Sequence, residues 1–211
     1  MMSKSIKRSL LAFALAIVAG LAGKTEAAFV TYTETATGSG TLGTTTFTNA
    51  ALTFTQTAET ANVIYVLNGV GAGGPGDYAY AVGNATATIT IAGVGTASFT
   101  GQTSTFNDVT KPISGLEFGG PVFGGSVILG FFSPALPNYD LRSSIGPVAS
   151  TTVYFGPMNF ATNLGNFTLS STTDPATFQA NVVPEPSSLT LGTIAALVGL
   201  GVRARRRALV A

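Results

Sequence analysis

Threonine dominates the middle of the chain and restricts what that part can form. The sequence has 211 residues, and 28 of the 156 residues from 28 to 183 are threonine. A β-branched side chain is stiff in a helix and packs well on a half-buried strand. Residues 85–92 read ATATITIA, in which threonine alternates with alanine or isoleucine. Because this period of two is typical of a strand with one buried face, the sequence predicts an all-β body that is long enough to bury a core.

Short alternating runs separated by glycine, asparagine and proline recur along this body. The spacing from Phe47 to Leu52 indicates a bulge near residues 49–51, and the GVG at residues 93–95 is typical of a tight hairpin turn. No stretch of the body keeps a helical period over several turns. We therefore expect about ten strands in a single antiparallel β-sandwich or jelly-roll-like domain. Further candidate strands are residues 63–67, 126–132, 151–155, 166–170 and 177–182.

Charged residues are sparse and are concentrated at the two ends of the chain. Only 9% of all residues are charged, and residues 28–183 carry two cations against seven carboxylates, a net charge of −5. The body offers no basic patch, so we do not expect it to bind nucleic acid. Its charged residues are Lys111 and Arg142, with Glu34, Glu59, Asp77, Asp108, Glu117, Asp140 and Asp174.

The chain contains no histidine and no cysteine. Ser-His-Asp and Cys-His catalytic arrangements therefore cannot be built, and zinc sites that use imidazole or thiolate are excluded. A lipoprotein is excluded as well, because its lipid is attached to a cysteine. We expect no catalytic residue, no cofactor and no metal, and we expect that the protein is not an enzyme.

The first 27 residues have the three parts of a secretory signal peptide. A basic start with Lys4, Lys7 and Arg8 precedes an apolar run over residues 10–21, and small residues follow up to Ala27 and Ala28. This pattern predicts a helical signal peptide over residues 1–27 that the secretion translocon recognises, with cleavage between Ala27 and Ala28. The alternative is an uncleaved membrane anchor, for which the apolar run is short.

The last 29 residues combine three features in a fixed order. Val183, Pro184, Glu185 and Pro186 are followed by an apolar run over residues 189–202. Each proline fixes its own φ and disfavours helix at the residue before it, so the first segment is expected to be extended, as a protease requires. The apolar run predicts a transmembrane helix, and a basic cluster behind it predicts a stop-transfer signal that keeps the C-terminus in the cytoplasm. The cluster consists of Arg203, Arg205, Arg206 and Arg207.

This tail resembles the PEP-CTERM sorting signal of exported bacterial proteins. The resemblance implies that residues 184–211 are a sorting signal recognised by an exosortase, a membrane-embedded protease, in a Gram-negative bacterium that makes exopolysaccharide. The body, residues 28–183, is similar to an uncharacterised threonine- and glycine-rich β type found among such proteins. That second resemblance rests on residues 38–60, 84–100, 138–148 and 176–187 and brings no activity with it.

Four weaker candidates remain in the body. A glycosidase needs two carboxylates about 5–10 Å apart, but the acidic residues show no paired spacing and are better explained as turn formers. The residues 107–108 and 138–140 could hold calcium, although Asx turns explain them. The GAGGPG at residues 71–76 matches a dinucleotide fingerprint but is followed by strand, not helix. Exposed aromatic candidates for polysaccharide contact are Tyr78, Tyr80, Tyr139 and Tyr154, which are more simply explained as edge-of-core residues.

The sequence therefore predicts an exported surface or extracellular-matrix protein without catalytic activity. It would be anchored transiently in the inner membrane by its C-terminal helix and processed by an exosortase. It would end at the cell surface or in a biofilm, with exopolysaccharide as a further partner. Two alternatives stay open: a carbohydrate-binding or carbohydrate-acting module that uses carboxylates and tyrosines, and a permanently anchored single-pass envelope protein.

Overall fold

The computed structural model describes residues 28–67, 78–118, 126–153 and 159–183. Within these ranges every regular element is a β-strand, apart from one 3-10 turn at Thr60–Asn62, which confirms the predicted all-β class. The strands are β1 (Phe29–Leu42), β2 (Thr45–Glu59), β3 (Ile64–Leu67), β4 (Tyr78–Gly83), β5 (Thr86–Ile91), β6 (Gly95–Ser98), β7 (Thr103–Asp108), β8 (Ile113–Phe118), β9 (Ser126–Phe132), β10 (Ile145–Val153), β11 (Asn159–Thr162) and β12 (Gly165–Val183).

The strands form one large antiparallel sheet. Their spatial order is β3-β4-β7-β8-β9-β10-β12-β1-β2-β5-β6, and β11 pairs with β12 beside this path. All strand pairs are antiparallel, as predicted. The first and last strands of the body, β1 and β12, are neighbours in the middle of this order, so the sheet is completed only when the end of the body returns to its beginning.

Strand β10 connects the two halves of the sheet. Its first part, from Ile145 to Ser150, pairs with β12, and its last part, from Thr151 to Val153, pairs with β9. Side chains from both halves share one hydrophobic core, including Phe54 of β2 and Phe131 of β9. The inner faces of the two halves are therefore buried together.

A second connection joins strands that lie far apart in the order. The N–H of Thr100, just after β6, donates to the carbonyl of Ala161 in β11 at 3.0 Å, and the N–H of Asn163 donates to the carbonyl of Ser98 at 2.9 Å. The N–H of Ser98 in turn donates to the Asn163 side chain at 2.8 Å. Because β11 pairs with β12, these bonds close β11, β12, β1, β2, β5 and β6 into a ring at this end.

Phenylalanine fills the interior of that closed end. Phe167 stacks on Phe47 with ring centroids 6.2 Å apart and meets Phe54 and Phe99 edge-on at 6.0 and 6.2 Å. Phe54 and Phe167 are fully buried. Aromatic pairs in these offset and edge-to-face arrangements add to the free energy gained by burying the rings.

Two of the local predictions are confirmed and one is wrong. The predicted hairpin joins β5 to β6, with Gly93 at φ 79°. The predicted bulge lies where Gly38 pairs with Ala50 but Gly40 pairs with Phe47. The runs 166–170 and 177–182, expected as separate strands, belong to the single strand β12, because a register shift against β1 carries the ladder past residues 174–176.

The predicted terminal helices, the signal peptide over residues 1–27 and the transmembrane sorting helix in residues 184–211, lie outside the described residues.

Replacing Phe167 with alanine should lower the free energy of unfolding by about 3–5 kcal/mol, because it leaves a cavity among three other aromatic rings. Denaturant titration of the full chain measures this loss. Phe132 is 42% exposed, so Phe132→Ala is the matched control and should change stability by about 1 kcal/mol or less. Equal losses in both variants would show that the closed end is not a packed core.

Candidate functional site

The two ends of the described body lie side by side. Phe29, the first residue of β1, pairs with Val183, the last residue of β12, and the carbonyl of Ala28 accepts a hydrogen bond from the N–H of Thr60 at 2.8 Å. Val183 is 59% exposed. The described body therefore begins and ends at adjacent strand ends.

Most residues of the predicted sorting signal lie outside the described residues. These are Pro184, Glu185, Pro186, Arg203, Arg205, Arg206 and Arg207, and Ala27 of the predicted signal-peptide cleavage site lies outside them as well.

In the described ranges, no helix is long and apolar enough to cross a bilayer.

The described aspartates accept hydrogen bonds from nearby groups. Asp108 accepts from the N–H groups of Thr110 and Lys111 at 2.9 and 3.0 Å. Asp140 accepts from the N–H of Arg142 at 2.9 Å. Asp174 accepts from the N–H of Thr152 at 2.8 Å, which ties β12 to β10. Each carboxylate thus holds a turn or a strand junction.

Of the two stretches considered for calcium, residues 107–108 end strand β7 and residues 138–140 lie in a loop. Asn107 and Asp108 are successive strand residues and point to opposite faces of the sheet. The Asn107 amide donates to the carbonyls of Leu136 and Tyr139 at 3.1 and 2.7 Å and so fixes the loop over residues 133–144. Among the described residues, no group of three acidic side chains is placed to hold a metal ion.

The glycine-rich motif at residues 71–76 lies outside the described residues, but the elements on both sides of it are described. β3 ends before the motif, β4 begins after it, and the two strands pair antiparallel. A dinucleotide site needs a helix that begins at the glycines, whereas here the motif connects the two strands of a hairpin.

Three tyrosines of β3 and β4 form a cluster, which we call the tyrosine cluster: Tyr65, Tyr78 and Tyr80. Tyr65 pairs directly with Tyr80 across the hairpin, with ring centroids 4.9 Å apart. The Tyr65 ring also lies nearly parallel to that of Tyr78, at 5.4 Å and 10°. Tyr65 is 52% exposed and Tyr78 39%. The structure therefore brings two of the predicted tyrosines together with one that the sequence analysis missed.

The other two predicted tyrosines are not part of this cluster. Tyr139 is buried, lies edge-on to Phe178 at 5.8 Å and donates its hydroxyl to the carbonyl of Ser143 at 2.9 Å. Burial raises the pKa of its phenol. Tyr139 is thus a core residue, as its simpler interpretation has it, and Tyr154 lies outside the described residues.

Arg142 connects the tyrosine cluster to the rest of the body. Its guanidinium lies 5.9 Å from the centroid of the Tyr80 ring, within the range of a cation–π contact. It also donates to the carbonyl of Val63 at 2.6 Å, just before β3. Arg142 therefore holds the hairpin and the loop over residues 133–144 in a fixed arrangement.

The most unusual buried groups are Glu34 and Gln56. Both side chains are fully buried, and none of their side-chain oxygens or nitrogens has a hydrogen-bond partner. Glu34 pairs with Phe54 on one side and Phe178 on the other. Burial raises the pKa of the Glu34 carboxyl to about 8. The carboxyl is consequently protonated and mostly neutral at neutral pH, so the fold does not incur the free-energy penalty of burying an isolated charge.

A sequence signal for both groups exists. In residues 30–36 the even positions are Val30, Tyr32, Glu34 and Ala36, and the odd positions are threonine. Since alternate side chains of a strand share one face, Glu34 belongs to the buried set. Gln56 lies on the buried face of β2 in the same way, two residues from Phe54.

No protein-family model, no curated protein and no solved structure matches this chain.

The burial of Glu34 predicts a pH-dependent stability. The pKa is raised from 4.5 in the unfolded chain to about 8 in the fold. The contribution of Glu34 to stability is therefore complete below pH 4.5 and is lost as the pH rises to about 8, at a slope of up to about 1.4 kcal/mol per pH unit. Glu34→Gln should remove this decline, as measured by denaturant titration of the full chain across that window.

The control is Glu59→Gln, because Glu59 lies at the end of β2, is only partly buried and accepts a hydrogen bond from Asn62 at 3.2 Å. This variant should keep the pH dependence of the wild type. An identical pH dependence in Glu34→Gln and in the wild type would show that Glu34 is already ionised in the folded protein.

Proposed function

We propose that the chain is an exported surface or extracellular-matrix protein of a bacterium that has no catalytic activity of its own. An exosortase would sort it through the PEP-CTERM-like tail, and the tail would anchor it only transiently in the inner membrane. The observation that carries the proposal is the position of the motif. β12 ends at the exposed Val183, and the Pro-Glu-Pro segment begins at the next residue, so the proposed recognition segment starts where the paired sheet stops.

The body supports a structural role more than a catalytic one. Its described aspartates are occupied as local hydrogen-bond acceptors, and Glu34 is enclosed in the core. Threonines line the outer positions of the strands and bond to each other across them, as Thr57 does to Thr86 at 2.6 Å. Such a surface is uncharged and well hydrated, which suits a protein placed among exopolysaccharide chains.

We further propose that the body is a β-sandwich of the jelly-roll-like kind, with the signal peptide and the sorting helix at its two ends. Three features support this arrangement: the core shared by both halves of the sheet, the passage of β10 between them, and the repeated crossing of the chain from one half to the other.

A second candidate function is a carbohydrate-binding module, and the tyrosine cluster favours it. The carbohydrate-acting form of this candidate needs a facing pair of carboxylates, whereas each of the three described aspartates accepts hydrogen bonds in its own turn or strand junction. We therefore retain the binding form.

Intact-mass measurement of the exported protein tests the sorting proposal. We expect a mature chain that lacks Arg203–Arg207 when the producing bacterium has its exosortase, and one that retains these arginines when the exosortase gene is deleted. A Pro184→Ala/Pro186→Ala variant should also retain them, because its motif is no longer held extended.

The control for that variant is Pro137→Ala, a change at an exposed loop proline of the body, which should be processed like the wild type. An exported wild-type chain that still contains Arg203–Arg207 in the presence of the exosortase would instead establish a permanently anchored envelope protein.

A further inference from the structure

We infer that the tyrosine cluster is a binding surface for neutral polysaccharide, on which a pyranose ring stacks against the exposed phenol faces of Tyr65 and Tyr78. The inference deepens the proposed function, since it names the site through which a matrix protein would hold exopolysaccharide.

The position of the cluster in the fold explains why its rings are exposed. Tyr65 and Tyr80 are directly opposite each other and share a face with Tyr78, which is two residues from Tyr80. Tyr80 packs against the main core, so this is the inner face of the sheet. Among the described strands, β3 lies at one end of the sheet order. The inner face thus continues past the buried core, and its last side chains are aromatic and open to solvent.

The cluster is rigid before any ligand arrives. Tyr80 is held between the core and the Arg142 guanidinium, and Arg142 is itself fixed to the Val63 carbonyl. Tyr65 leans on Tyr80, and Tyr78 lies parallel to Tyr65. A tyrosine has only two side-chain torsions to order, so a preformed set of rings binds at a low cost in conformational entropy.

The size of the exposed surface favours a sugar over a protein partner. Two tyrosines that are 52% and 39% exposed offer on the order of 200 Å² of surface. A stable protein–protein interface buries about 800 Å² on each partner. One or two sugar rings fit the smaller area. The apolar C–H groups on one face of a pyranose complement an aromatic face, and a phenol hydroxyl can donate a hydrogen bond to a sugar hydroxyl or accept one from it.

The charge of the body favours a neutral polymer. Residues 28–183 carry a net charge of −5, which repels polyanions. The cation at the site, Arg142, already donates to a backbone carbonyl and faces an aromatic ring. It is therefore better suited to support Tyr80 than to bind an acidic sugar.

Affinity electrophoresis of the purified full chain tests the inference. The gels contain dextran, hydroxyethyl cellulose or galactomannan as neutral polymers, or polygalacturonate as an acidic one. We expect at least one neutral polymer to retard the wild type. Tyr65→Ala should weaken that binding roughly tenfold, since it removes the ring that touches both others. Tyr65→Phe keeps the ring and should bind within about threefold of the wild type, the difference one peripheral hydrogen bond makes.

Phe132→Ala is the matched control, because Phe132 is an aromatic residue of similar exposure, 42%, on another strand. Its binding should equal that of the wild type. A thermal melt of each variant establishes that it is folded. Quenching of tyrosine fluorescence by the bound polymer is a second readout, because the chain contains no tryptophan and three of its six tyrosines form the cluster.

Four outcomes would overturn the inference. Two concern the wild type: no neutral polymer retards it, or polygalacturonate alone retards it. Two concern the folded Tyr65→Ala variant: its binding is unchanged, or its oligomeric state changes while its sugar binding does not. The last would identify the cluster as a contact between copies of the chain. None of these outcomes bears on the mature mass after export, so failure of this inference is distinguishable from failure of the sorting proposal.

Discussion

The pairing of β1 with both β2 and β12 is the constraint on which the rest of the structure depends. β1 contributes the buried side chains Val30, Tyr32, Glu34 and Ala36 to the core. β12 is the last strand of the body, so its pairing with β1 joins segments that are separated by nearly the whole body in sequence. Because most contacts of these strands are therefore distant in sequence, we expect the body to fold slowly for its size. The same pairing places the two ends of the body beside each other, so the proposed sorting motif begins next to the strand end at which the body starts.

The class and the local elements of this fold could be predicted from the sequence, but its pairing could not. Alternation of threonine with apolar residues indicates which residues face inward, and the glycines at residues 93 and 95 correctly predict the β5–β6 hairpin. Periodicity does not state which strand lies beside which. Neither the passage of β10 between the two halves nor the closure through Asn163 has a local signal, because both depend on contacts between segments that are far apart in the chain. The division of β12 into two strands was wrong for the same reason: its continuity comes from β1.

The candidate sites show the same division between local and distant information. Glu34 and Gln56 were predictable as buried, since the period of two assigns them to the core face, yet their lack of partners follows only from the packing around them. Tyr78 and Tyr80 were candidates from their residue type alone. Tyr65 lies beside them because the register of β3 and β4 pairs it with Tyr80. Tyr139 is not part of the cluster, because the Asn107 amide binds its carbonyl and holds its loop against the core. Residue type suggests which side chains could bind a ligand, whereas tertiary contacts decide which of them lie together in one site.

The direct pairing of Phe29 with Val183 has a mechanical consequence for a protein held by its C-terminal end. A pull on Val183 along β12 is directed along the strand, while the hydrogen bonds to β1 lie across it. That force loads the ladder in shear, so many bonds must yield together. A pull that separated Phe29 from Val183 sideways would instead open the same ladder one pair at a time. The body would therefore resist tension applied through its tail much better than tension applied between its two ends.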